Sequence, residues 1–234
     1  MESFKVTYRL ATPVVAPKNI RLDALIMQRK LIFDGQAKLD GVPVTDTWKI
    51  IDLPLKKYPF IGDKFYYSAS HGVFDDSFTI KDRFFKRIDC EVLAGTSVSN
   101  INTGSGKYCS SITEYENIHT DKIVFFGEGN ITACEKLLSG VTSIGGLRKQ
   151  GRGIVSAFEI KSIHCARAGL VQGGILVRDI PISKKGVVKY LQKASKGTSV
   201  DMRQTRIVPP YHKRYSDVGS EVCIGFGSDA NILF

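Results

Sequence analysis

The chain has 234 residues, 43% of them hydrophobic and 24% charged, which is the composition of a folded protein and not of a disordered one. That length suits one large domain or two small ones with a real core, and no run of about 18 apolar residues is present to cross a membrane. Lys and Arg number 33 against 23 Asp and Glu, a net charge of +10, and such an excess points to a polyanionic partner.

Near the amino terminus Phe4, Val6, Tyr8 and Leu10 alternate with Lys5, Thr7 and Arg9, the pattern of a half-buried strand. There is no basic segment followed by an apolar one, so no secretory leader is expected. Thr12-Pro13 and Ala16-Pro17 then read as loop. Leu22, Leu25, Ile26, Arg29 and Ile32 keep helical spacing with Asp23 in the first turn, predicting a helix over 22–33. Residues 34–70 carry Gly, Pro and Asp around short extended pieces at 42–51 and 64–70. From His71 to Gly106 the pattern is poor, and a long loop or an inserted hairpin is expected. Its clustered Phe84, Phe85, Lys86 and Arg87 are expected to pack under that loop. Lys122 to Phe126 is a strand. Asn130 is an expected N-cap for a helix over 131–138. A glycine-rich basic loop at 145–153 precedes another strand at 154–163, and 164–182 reads as a hairpin. Ser183 to Lys196 has the pattern of a third helix. This order predicts an α+β protein with helices on one face of an antiparallel sheet.

The charge is concentrated. Between Arg148 and Arg214 stand 15 basic and 3 acidic residues, leaving 18 basic against 20 acidic in the rest of the chain. Clustered cations gain by releasing counterions from phosphates. Within the glycine loop, Gly146 to Gly151 opens like a nucleotide-binding P-loop, but Arg152-Gly153 replaces the required Lys-Ser/Thr and a strand follows instead of a helix. A nucleoside-triphosphate site is therefore not expected. The glycines instead let the backbone approach phosphates while Arg148, Lys149 and Arg152 supply charge; a flexible solvated turn is the other reading. Lys185, Lys189, Lys193 and Lys196 fall on one helical face, either lining a groove for a phosphate backbone or simply facing water. Residues 208–215 join two prolines to Tyr211, His212, Lys213, Arg214 and Tyr215, suited to stacking on splayed bases or to a packed crossover.

Catalysis has less support. The four histidines, 71, 119, 164 and 212, have no metal-ligand spacing, Asp75-Asp76 reads as a turn facing water, and no cofactor is expected. The five widely spaced cysteines form neither a disulfide framework nor a zinc site, which fits a reduced, cytoplasmic setting. A metal-free ribonuclease needs only a base and an acid near a 2′-hydroxyl. His71 beside Lys64, Tyr66 and Tyr67, or His212 beside Tyr211 and Lys213, are the candidates.

The first strand, the helix opening Arg21-Leu22-Asp23-Ala24-Leu25, and the late loop at 145–153 resemble the RAMP superfamily of CRISPR proteins. With Gly151-Arg152-Gly153, Arg178-Asp179-Ile180-Pro181 and Pro209-Pro210-Tyr211, the chain looks like the type IV effector subunits that cap the 5′ handle of the guide RNA. The resemblance covers most of 1–215, and 216–234 match nothing in it. It implies a ferredoxin-like, RNA-recognition-type sheet over 1–182, an inserted thumb at about 71–106 and a basic extension at 183–234. It further implies a non-catalytic subunit that binds guide RNA and meets the backbone-forming and large subunits near the entry of target DNA and its flanking motif. By resemblance Arg148, Lys149 and Arg152 would contact handle phosphates, with Gly146, Gln150 and Gly151 completing the loop. Lys185, Lys189, Arg203, Arg206, Tyr211, His212, Lys213 and Arg214 are assigned to RNA on charge alone. The alternatives are a metal-independent endoribonuclease of the same superfamily that processes precursor guide RNA, and a general RNA-binding module.

Overall fold

The computed structural model describes residues 1–15, 20–35, 51–61, 64–86, 111–182, 202–205 and 221–224. It is an α+β structure whose strands pair antiparallel, with two α-helices among the described residues. The expected third helix at 183–196 lies outside them.

Strand β1 (Glu2–Leu10) is central. Its alternation buries Phe4, Val6 and Tyr8 completely, while Lys5, Thr7 and Arg9 point to the other face, as period-2 geometry requires. It pairs with β8 (Lys122–Gly129) on one side and β9 (Val155–Ser162) on the other. The short β5 (Val73–Phe74) adds to the far edge of β8, giving the strand order β5-β8-β1-β9. Helix α1 (Leu22–Phe33) lies between β1 and β5 in sequence, and α2 (Ile131–Leu138) between β8 and β9. Both helices pack on the face that carries Phe4, Val6, Tyr8, Ile123 and Phe125.

The helix ends follow from local chemistry. Asn130 caps α2 by accepting the Ala133 N–H at 3.1 Å, as expected. Eight residues are too few to hold a helix alone, so α2 depends on burying Cys134 and Leu138. Burial pushes the Cys134 thiol up to about 12, leaving it an inert core group. The Leu138 carbonyl accepts from the Tyr8 hydroxyl at 3.0 Å, and the Leu137 carbonyl from Arg29 Nε at 3.3 Å.

The stretch expected to be loop or inserted hairpin contains a long ribbon. Strand β6 (Phe78–Lys86) pairs with β7 (Ser111–His119) from Phe78 opposite His119 to Lys86 opposite Ser111. The return arm thus lies beyond Gly106, and Val73–Phe74 belongs to the main sheet. Phe85 is 54% exposed and so does not pack under a loop as expected, because it stands with Ile112 toward the far end of the ribbon; the side chains of Phe84, Lys86 and Arg87 lie outside the described residues. The base of the ribbon is held by β2 (Val14–Val15), which pairs with β7. A second hairpin, β3 (Lys57–Ile61) with β4 (Lys64–Tyr67), is only half expected from the sequence. Beyond it, β10 (Val171–Gln172) pairs with β11 (Ile175–Leu176), and β12 (Ile180–Pro181) joins β14 (Glu221–Ile224) and β13 (Met202–Thr205).

Candidate nucleic-acid interface

The glycine loop is built against the core and is not a free turn. Gly145, Leu147, Gly151 and Gly153 all have left-handed backbones, at φ of 91°, 51°, 78° and 64°, and three of the four are the residue type that takes this conformation without strain. A side chain at Gly145 would strike the Val15 carbonyl, and one at Gly153 the Ile144 carbonyl. Backbone hydrogen bonds staple the loop: Gly146 donates to Val15, Gly153 to Pro13 and Ile144 to Gly153. Between these anchors Arg148–Gln150 form one 3-10 turn.

The turn stands across from α1. Gln28, Arg29 and Ile32 face Gly145–Gln150 over an open cleft of about 680 Å³. With its amide oxygen toward the loop, Gln28 accepts from both terminal nitrogens of Arg148, at 3.2 and 3.3 Å. Arg29 is held at the carboxyl end of α2, where a cation is favoured. Arg148 and Arg29 are thus pre-positioned on two walls of one cleft, with Lys149 exposed at its rim.

Of the residues expected to bind RNA, the fold brings Gly146, Arg148, Lys149 and Gln150 together here, with Gly151 closing the turn. Arg152 departs from the expectation. It turns away from the cleft to pair with Asp82 of β6 at 3.1 Å, and Asp82 is also bound by the Asn117 amide at 2.8 Å. Arg203 lies on β13 opposite Cys223. Lys185, Lys189, Arg206, Tyr211, His212, Lys213 and Arg214 fall outside the described residues. Gln28 and Arg29 are beyond the reach of sequence reasoning. They sit on α1, and only its docking beside the loop makes them part of the cleft.

A second cluster of charge is internal. Arg21 pairs with Asp179 at 2.8 Å and Arg178 with Asp23 at 3.0 Å, all four side chains at 4% exposure or less. Arg178 also donates to the Ala69 carbonyl at 2.7 Å. The pairs clamp the start of α1 to the 178–181 segment, so the Arg21-Leu22-Asp23 and Arg178-Asp179 motifs meet as one structural unit. His71 is fully buried beside it, with Nε2 3.5 Å from Asp179. The candidate base His71, with Tyr66 and Tyr67 also buried, is therefore interior and does not face a substrate.

Desolvation lowers the His71 pKa, and the nearby Arg21 and Arg178 reinforce this against the opposing pull of Asp179. The unfolded chain then binds a proton at His71 that the folded chain does not, so stability is full above pH 6.5 and falls as the pH drops below it. The slope from this one group is at most about 1.4 kcal/mol per pH unit. Urea unfolding between pH 7.5 and 5 should show that decline, and His71→Gln should flatten it. Glu128 does not obscure this window. Burial opposes its ionisation, but hydrogen bonds from Tyr58 and Lys56 hold its pKa below the ordinary glutamate value, so its contribution is lost only at lower pH.

No helix among the described residues is long and apolar enough to cross a membrane, and no group of three His, Cys, Asp or Glu among them is arranged to hold a metal ion. No protein-family model matches the chain, and no curated protein does so either.

Proposed function

We propose that the protein is a non-catalytic RNA-binding subunit of the RAMP type, which holds the 5′ handle of a guide RNA in a type IV CRISPR effector complex. The observation that carries this reading is the cleft between α1 and the glycine loop. Its walls hold Arg29 and Arg148 in fixed positions, Lys149 stands at the rim, and the glycines keep the backbone low. Such a cleft suits a phosphodiester chain, because phosphates are bound by cations and by close backbone approach and carry the affinity.

The strand order supports a ferredoxin-like sheet. β5-β8-β1-β9, with α1 linking β1 to β5 and α2 linking β8 to β9, makes two interleaved β-α-β units, each split by a strand of the other. The β6–β7 ribbon is the proposed thumb, and the basic segment beyond 182 the proposed extension toward RNA. Neighbouring backbone and large subunits and target DNA near its flanking motif are the partners this reading assigns. Burial of His71 favours binding over cleavage.

The test is a labelled CRISPR repeat RNA incubated with the protein in EDTA, run in parallel on native and denaturing gels. A shifted and intact RNA is expected. A discrete cut that disappears in His212→Ala would replace the binding subunit by the ribonuclease.

A further inference from the structure

The ribbon carries an exposed ring pair that the loop does not use. Phe78 of β6 and His119 of β7 face each other across the ladder and stack with centroids 4.8 Å apart and planes 11° from parallel. Phe78 remains 59% exposed, and Ile80, two residues along the same face, 46%. Large apolar side chains left in water beside a formed stack invite a further flat partner.

Beside the pair lies a second cleft of about 380 Å³, whose lining includes Thr12, Pro13, Asp76, Phe78, His119 and Asp121. Its character is opposite to that of the glycine-loop cleft. Lys122 is bound by Asp75 at 2.6 Å and also feels the charge of Asp76, while the Asp76 and Asp121 side chains themselves are exposed. Two carboxylates repel a phosphate, but they accept hydrogen bonds from the exocyclic amino group of a base, as Asp and Glu do with cytosine N4.

The glycine loop is tied to the ribbon. Asp82 is on the same face of β6 as Phe78, four residues away, about 13 Å at the rise of a strand, and it holds Arg152 of the glycine loop. Phe78 is thus about 13 Å along the strand from the point where the loop meets the ribbon, within reach of a single strand held at the loop. Base-on-ring stacking is the usual way single strands are held beyond their phosphates.

We propose that Phe78, backed by His119, is a stacking platform for one unpaired base of the RNA held at the glycine loop, and that Asp76 and Asp121 select a base with an amino group over uracil. This rests on the RNA-binding reading above and adds to it a base site on the ribbon.

The test measures binding of labelled oligo(C) and oligo(U) RNA of equal length by fluorescence anisotropy, using the full chain. The unaltered protein should bind oligo(C) more tightly. Phe78→Ala should weaken oligo(C) about tenfold, the scale of one lost stack, with the salt dependence unchanged because no phosphate contact is removed. Phe78→Trp should keep the affinity. Asp76→Asn with Asp121→Asn should abolish the preference for oligo(C); asparagine also tolerates the left-handed backbone at position 76 (φ 41°). Unchanged oligo(C) binding by Phe78→Ala, or equal affinity of the unaltered protein for the two RNAs, overturns the proposal. If the unaltered protein binds neither RNA, the RNA-binding reading fails with it.

Discussion

Arg178→Met is expected to destabilise the protein by about 3–5 kcal/mol, the cost of leaving a buried charge without its partner. Arg178 is 1% exposed, and its Nη1 serves both the Asp23 carboxylate and the Ala69 carbonyl. Methionine fills much of the volume but returns neither interaction, so Asp23, at 0% exposure, is left in the interior beside the start of α1. Against a total stability of about 5–15 kcal/mol for a domain, that loss brings the folded state close to its limit. Urea unfolding should show the midpoint falling steeply. Replacing Asp23 as well, in Asp23→Leu with Arg178→Met, should recover a large part of the loss, because the penalty lies in the stranded charge more than in the missing pair. A loss under about 1 kcal/mol in the single variant would mean that water reaches Asp23 and the clamp is not a structural unit.

That clamp also explains why two short motifs far apart in the chain belong together. Arg21-Leu22-Asp23 and Arg178-Asp179 are separated by more than 150 residues, and no periodicity links them. Each looks like a surface-charged fragment when read alone. The structure makes them mutual partners, and the pairing fixes α1 at the position from which Gln28 and Arg29 face the glycine loop. A structural device at one end of the helix thereby sets the geometry of the cleft at the other.

The elements legible in the sequence are those with one buried face. β1 alternates because its Phe4, Val6 and Tyr8 enter the core, and α1 has helical spacing because Leu22, Leu25, Ile26 and Leu31 do. β7 has no such signal. Over Ser111 to Glu116 it is exposed or half-exposed, so neither face is consistently buried there and the period-2 cue vanishes. β3 is obscured by Pro59, a residue that reads against a strand except at an edge. At the site, the glycine loop is recognisable by composition, but the direction of Arg152 is not. Its partner Asp82 is 70 residues away, on a ribbon whose path the sequence does not reveal. Proximity in the chain groups His71 with Tyr66 and Tyr67, yet all three are buried and in different places: Tyr67 in the main core, Tyr66 against Leu170, and His71 beside Asp179.

The second large effect is on binding, at the cleft itself. Arg148→Gln with Lys149→Gln leaves shorter, neutral side chains that still hydrogen-bond while removing both charges from the cleft. Arg152 is left intact because Asp82 holds it. If the loop holds phosphate as proposed, losing two charge-assisted bonds should weaken repeat-RNA binding by roughly tenfold to hundredfold at physiological salt. The difference should shrink as salt rises, because each phosphate neutralised on a single strand contributes about 0.7 to the slope of log affinity against log salt. The decisive measurement is that slope, from anisotropy titrations of repeat RNA at several salt concentrations with both proteins. The variant's slope should be shallower by about 1.4, whereas equal slopes with equal affinities would remove the glycine loop from the RNA interface.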